Sequence, residues 1–120
     1  MAKRTAPSDR GRVEAALEKL AARLGGCRTL RKGSIVIRAS GGGGDHCLEC
    51  WPGGARVTTP TSAASPPAIE IIGETRHILA LLAGQKDPRK LFFAGVIRVR
   101  GDLRYLSDLA LEARFIEEPL

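Results

Sequence analysis

The chain has 120 residues, 43% hydrophobic and 27% charged, with a formal net charge of +6. A chain of this length buries roughly two-thirds of its unfolded surface on folding, enough for one core, which excludes a catalytic domain joined to a separate substrate domain. Its longest apolar runs, Ile78 to Ala83 and Leu91 to Ala94, fall far short of the ~18 residues of a membrane span.

The chain opens on a basic arm over residues 1–9, with no apolar stretch behind Met1 to Pro7, so a secretory signal is not expected and the location is expected to be cytoplasmic. Three cysteines are too few for a disulfide framework, and reduced thiols are expected. Ser8 or Asp9 caps a first helix in which Val13, Leu17, Leu20, Ala21 and Leu24 recur at helical spacing until Gly25 and Gly26 stop it. Ten Lys and Arg lie in the first 38 residues against Asp9, Glu14 and Glu18, so this third carries about +7 and the rest about −1. A charge excess of that kind suits nucleic acid, an anionic membrane or an acidic protein, or simply a solvated helix face.

Four β-favouring stretches follow: Ser34 to Ala39, His46 to Trp51, Ala55 to Thr59 and Ala68 to Ile72. Their spacing predicts an antiparallel meander. Ile35, Ile37 and Ala39 alternate with Val36 and Arg38, and Ile69 and Ile71 flank Glu70, so one sheet face is apolar and needs a cover. The cover comes from Thr75 to Ala83, closed by Gly84, and from a short helix started by Asp87 and Pro88 and ended at Gly95. Val96 to Arg100 alternates as a fifth strand. Asp102 then caps a last helix carrying Leu103, Leu106, Leu109, Ala110 and Ala113. The order is α+β, with one domain over residues 10–116 and a tail over 117–120.

Candidate chemistry is sparse. Gly41 to Gly44 is followed by Asp45 and His46, not by the lysine and hydroxyl residue of a phosphate loop, so a flexible hairpin loop is predicted. Cys47 and Cys50 have metal-site spacing beside His46, but three positions apart on a strand put them on opposite faces, and only Cys27 and His77 remain as further Cys or His ligands. Cys50, in line with Leu48, is predicted to be interior. Neither a metal nor another cofactor is expected. Asp45, His46, Glu49, Glu70, Glu74 and His77 are the acid–base candidates. Each has a structural explanation on a strand face or helix, and no catalytic motif joins them. Trp51, Tyr105, Phe92, Phe93 and Phe115 are too few and too apolar in context for a base-stacking platform, so nucleic acid is not an expected partner.

The stretch from Ile69 to Leu109 is the most specific. Ala68-Ile69-Glu70-Ile71-Ile72-Gly73, the leucine-rich run His77 to Gly84, Lys86-Asp87-Pro88, Leu91-Phe92-Phe93-Ala94-Gly95, and Ile97 to Leu103 ending in Gly101-Asp102-Leu103 form an ordered set. This set resembles the sterol carrier protein type 2 domain family, and by pattern the resemblance extends over Arg10 to Phe115. It implies a five-stranded, mostly antiparallel sheet with helices on one face and an apolar tunnel between the layers for lipids, sterols, fatty acyl chains or isoprenoid quinone intermediates. The ending Glu117-Glu118-Pro119-Leu120 departs from a peroxisomal Ser-Lys-Leu address, so a stand-alone, bacterial-type member is expected.

The resulting expectation is a noncatalytic carrier that presents its cargo to lipid-modifying enzymes. Ile35, Ile37, Leu48 and Val57 would line the sheet side, and Leu79, Leu82, Phe92, Phe93, Leu103 and Leu106 the helical side. Arg10, Arg12 and Lys19 would dock on anionic membrane. The competing readings are a small lyase or cyclase using the same cavity, which requires a buried acid or base, and a basic adaptor for nucleic acid or protein, which requires a filled core.

Overall fold

The computed structural model describes residues 8–26, 31–60, 67–84 and 88–112. Most of the predicted arm, Cys27, Asp87, Ala113, Phe115 and the tail lie outside the described residues. Helix α1 spans Asp9–Arg23, and Ser8 caps it by accepting from the Gly11 amide at 3.1 Å. Strands β1 (Gly33–Ser40), β2 (Gly44–Trp51) and β3 (Gly54–Thr58) follow, then β4 (Ile69–Glu74), α2 (Thr75–Leu82), α3 (Pro88–Phe93), β5 (Ile97–Gly101) and α4 (Leu103–Glu112). None of the described helices is long and apolar enough to cross a membrane.

The sheet order is β3-β2-β1-β4-β5, which corrects the predicted four-strand meander. Strands β1, β2 and β3 do run antiparallel, with Ile35 opposite Leu48 and Leu48 opposite Val57. The chain then returns to the far side of β1, where β4 pairs parallel to it, Ile35 against Ile69. Strand β5 closes the sheet antiparallel to β4. The physical reason lies in β1 itself: Ile35, Val36 and Ile37 are all buried, Val36 on the face without helices, where Cys47 of β2 and Glu70 of β4 flank it on either side. The long, proline-bearing connection after Thr59 also exceeds a tight hairpin turn.

The four described helices cover one face. Ile35, Ile37, Leu48, Cys50, Ile69, Ile71 and Ile97 from the sheet meet Val13, Leu17, Leu20 and Leu24 near or on α1, Ile78, Leu81 and Leu82 on α2, Leu91 on α3, and Tyr105 and Leu109 on α4. The opposite face carries charge. Arg38 binds Glu70 at 2.6 Å and Asp45 at 2.8 Å, Arg100 lies 3.6 Å from Glu70, and Arg56 pairs with Glu49 at 2.9 Å. Such half-exposed pairs add little stability individually, but opposite charges across neighbouring strands favour the observed register over a one-residue slip.

Candidate functional site

Two spaces flank α1 and α2. Between sheet and helices is a wholly apolar cavity of about 40 Å3, lined by Leu17 and Leu20 of α1, Ile35, Ile37, Leu48 and Ile71 of the sheet, Leu81 and Leu82 of α2, and Leu106, Leu109 and Ala110 of α4. Outside it, an open cleft of about 1110 Å3 runs between α1, α2 and the β1–β2 turn. Its walls include Ala15, Ala16, Leu79, Ala80 and Ala83, and its rim carries Arg12, Lys19, Arg23 and Arg76 together with the acids Asp9, 3.7 Å from Arg12, and Glu74, 3.0 Å from Arg76. Leu20 and Leu82 line both spaces. These two side chains are therefore the partition between cleft and cavity.

Local chemistry explains why α2 starts at this place. Thr75 donates its hydroxyl to the Ser40 carbonyl at 2.8 Å and accepts the Gly43 amide at 2.9 Å, while buried His46 donates from Nε2 to the Gly43 carbonyl at 2.7 Å. Instead of a flexible loop, the glycine run is a pinned turn. Gly41, Gly42 and Gly44 have φ of 83°, 115° and 79°, values open to glycine. At Gly43, where φ is not positive, the constraint is space: an added Cβ would collide with Thr75 Oγ1 and the Ala39 side chain.

Of the residues predicted to line a binding site, Ile35, Ile37, Leu48, Leu82 and Leu106 come together around the cavity, and Leu79 faces the cleft. Val57 packs half-buried at the edge of the core. Phe92, Phe93 and Leu103 stand at the surface, 42%, 81% and 53% exposed. The sequence reading left out Leu17, Leu20, Ile71, Leu81, Leu109 and Ala110. The signal for them was the apolar periodicity of their own elements, which marks a core face without marking where that face leaves space. Arg12 and Lys19 line the cleft, whereas Arg10 lies against the β1–β2 turn, its guanidinium occupying the space a Cβ on Gly44 would need.

Five of the six acid–base candidates are engaged elsewhere, and the sixth, His77, lies half-buried on α2. Asp45, Glu49, Glu70 and Glu74 are in ion pairs with arginines, and His46 holds the turn. Glu74 is the N-cap residue of α2, one position before its first turn, and its side chain makes no capping bond. Cys47 and Cys50 occupy opposite sheet faces, Cys50 in the core beside Leu48. Burial pushes the Cys50 thiol up to about 11, partly offset by a hydrogen bond with Tyr105. Among the described residues no three His, Cys, Asp or Glu gather as a metal set.

The fold has known counterparts. Palmitated SCP2L2 from Aedes aegypti superposes with a TM-score of 0.63 at 18% identity, over 84% of this chain and 93% of its own. The protein described as UbiJ-SCP2 ubiquinone synthesis protein gives 0.53 at 17%, over 82% of this chain and 78% of its own. A double mutant of the sec-alkyl sulfatase PisA1, an enzyme of Pseudomonas sp., gives 0.65 at 14% identity over 77% of this chain; the chain spans only 14% of that enzyme. No curated protein matches the sequence. The family model described as SCP-2 sterol transfer family matches residues 8–110. With the five-stranded sheet, its helical cover and the apolar layer between them, that match over most of the length settles the family: the chain belongs to the SCP-2 sterol transfer family.

Proposed function

We propose that this protein is a noncatalytic carrier of a hydrophobic small molecule, a lipid, sterol, fatty acyl chain or isoprenoid quinone intermediate, held between sheet and helices. The observation that carries the reading is the partition: a dry apolar cavity and an open cleft are separated by Leu20 and Leu82 alone of the residues common to both. The cavity's 40 Å3 is about the share of one water molecule in the liquid, and an all-apolar space of that size stays dry. Cargo therefore requires the two leucines to part and the helical layer to lift. Burial of the cargo's apolar surface at about 25 cal/mol per Å2 opposes the cost of that opening.

The cleft's basic rim and Arg10 favour an anionic surface as the place of loading, through Arg10, Arg12 and Lys19. Delivery to lipid-modifying enzymes in the cytoplasm completes the proposal, and the ubiquinone synthesis neighbour supports a quinone intermediate as one cargo. The test is a fluorescent acyl probe in aqueous solution. Binding should be saturable, displaced by long-chain lipids and unaffected by nucleotides. Leu82→Trp should lower probe affinity by about tenfold with little change in melting temperature. If the site is close-packed core instead, the same substitution costs about 1–3 kcal/mol of stability in a protein that never bound the probe, and the carrier reading fails.

A further inference from the structure

The large apolar side chains exposed among the described residues are Trp51, Phe92, Phe93 and Leu103. Trp51 sits in the β2–β3 corner at one edge of the sheet. The other three fall within a twelve-residue stretch at the opposite edge, over α3, β5 and the start of α4. Helix α3 is held down by Leu91, which is buried, and is closed by bonds from the Ala94 amide to the Lys90 carbonyl, from Gly95 to Phe92 and from Val96 to Leu91. That tight ending fixes Phe92 and Phe93 outward, their rings 5.8 Å apart and inclined by 66°, an edge-to-face contact that holds each ring in place.

Cations lie beside Phe92. A surface depression at the free edge of β5 brings Phe92 together with Arg98 and Arg100, and Lys90 is exposed on α3. Arg100 is 3.6 Å from Glu70, while neither Arg98 nor Lys90 pairs with a described acid. Charged side chains on an edge strand are a common guard against strand pairing, and this accounts for Arg98 and Arg100. It does not account for two phenylalanines beside them, since a monomeric surface gains nothing from exposing such a patch.

We infer that the α3–β5 edge is the anchoring surface by which the protein seats on an anionic lipid bilayer, with Phe92 and Phe93 entering the headgroup–acyl boundary and Lys90, Arg98 and Arg100 meeting the phosphates. Aromatic side chains favour that depth, and cations beside them favour anionic lipid. The inference places the anchoring surface on the opposite edge of the sheet from Arg10, Arg12 and Lys19, and it rests on the carrier reading for its purpose. Helix α1 does not supply the same function. Its large apolar residues Val13, Leu17 and Leu20 are buried in the core, and its exposed face mixes Arg10, Arg12 and Lys19 with Glu14 and Glu18. It attracts a surface without having anything to insert.

The experiment uses the full chain with vesicles of phosphatidylcholine alone or mixed with phosphatidylglycerol. Cosedimentation should require phosphatidylglycerol and should weaken, but persist, as salt rises. Phe93→Ser, at the most exposed position, should weaken it about tenfold, and the Phe92→Ser, Phe93→Ser double variant further. With Trp51→Phe removing the native indole, Phe93→Trp should show blue-shifted emission on the mixed vesicles and quenching by brominated acyl chains. The inference is overturned if Phe93→Ser binds as the parent does, if the indole emission stays unshifted while the protein sediments, or if no vesicle binds. A concentration-dependent dimer abolished by Phe93→Ser also overturns it, assigning the patch to a second copy. Probe binding by the parent chain in vesicle-free solution is read separately: probe binding without docking overturns this surface alone, and docking without probe binding overturns the carrier reading.

Discussion

Tyr105 shows how one side chain ties distant parts of the chain together. Its hydroxyl donates to the Arg31 carbonyl at 2.8 Å across 74 positions of sequence, and the Arg31 guanidinium lies 5.3 Å from its ring. Burial raises its phenol and the neighbouring Cys50 thiol alike, and burial also raises Cys47. Because the thiolate is the reactive form, neither Cys47 nor Cys50 should alkylate at neutral pH in a Cys27→Ser background until the protein unfolds; mass spectrometry after iodoacetamide checks this. Asp102 shows the opposite shift. Its carboxylate accepts from the Tyr105 and Arg104 amides at 3.1 and 3.0 Å and lies 3.4 Å from Arg31, which together hold it below the usual carboxylate range. A depressed carboxylate contributes stability that is present above its unfolded pKa and lost as pH falls through the folded one. The acid limb of the stability curve below about pH 4 should therefore be shallower in Asp102→Asn, which already lacks this contribution at neutral pH, and Asp102→Ala, which also removes the cap, should lower the neutral-pH melting temperature further. Both the Asp102 cap and the interior position of Cys50 are legible in sequence, because a cap and a strand alternation are local. The Tyr105–Arg31 bond is not, since no local pattern announces a contact so distant along the chain.

At the scale of elements, the junction of β1, its turn and α2 rests on Thr75. Its hydroxyl serves one carbonyl and one amide, so Thr75→Val, of nearly the same shape, would strand both. The expected cost is about 1–3 kcal/mol, read by denaturant unfolding, with most of it recovered in Thr75→Ser. Helix α1 depends on burial instead: Leu17→Ala, at a position wholly enclosed, should cost about 2–5 kcal/mol. The helices and strands themselves are legible to within a residue or two, since periodicity, caps and glycine stops mark them. The neighbour of β1 is less so. Spacing favoured successive hairpins, while the buried run through Val36 and the proline-bearing link after Thr59 pointed to a strand with partners on both sides. Within the candidate site, Leu20 reads in sequence as one more member of an apolar stripe; its place at the partition depends on where α2 lies, which its own helix does not encode.

The charge of the whole molecule sets how it approaches a surface. Neutralising Arg10, Arg12 and Lys19 together should weaken vesicle binding strongly at low salt and little at high salt, because exposed charges are screened over ~8 Å at physiological ionic strength; vesicle titrations at two salt concentrations check it. The parallel seam between β1 and β4 has a consequence of another kind. On either side of it the chain divides into two contiguous halves, one holding α1 and β1 to β3, the other β4, α2, α3, β5 and α4. The antiparallel pairs lie inside the halves, and the parallel pair lies between them. The cavity also lies between them: Leu17, Leu20, Ile35, Ile37 and Leu48 come from the first half, and Ile71, Leu81, Leu82, Leu106 and Leu109 from the second. A chain severed in the link between β3 and β4 should accordingly yield two fragments that reassociate. Their rate of exchange should fall when an acyl probe is present, since a molecule seated there would act as an additional strip of interface shared by both pieces.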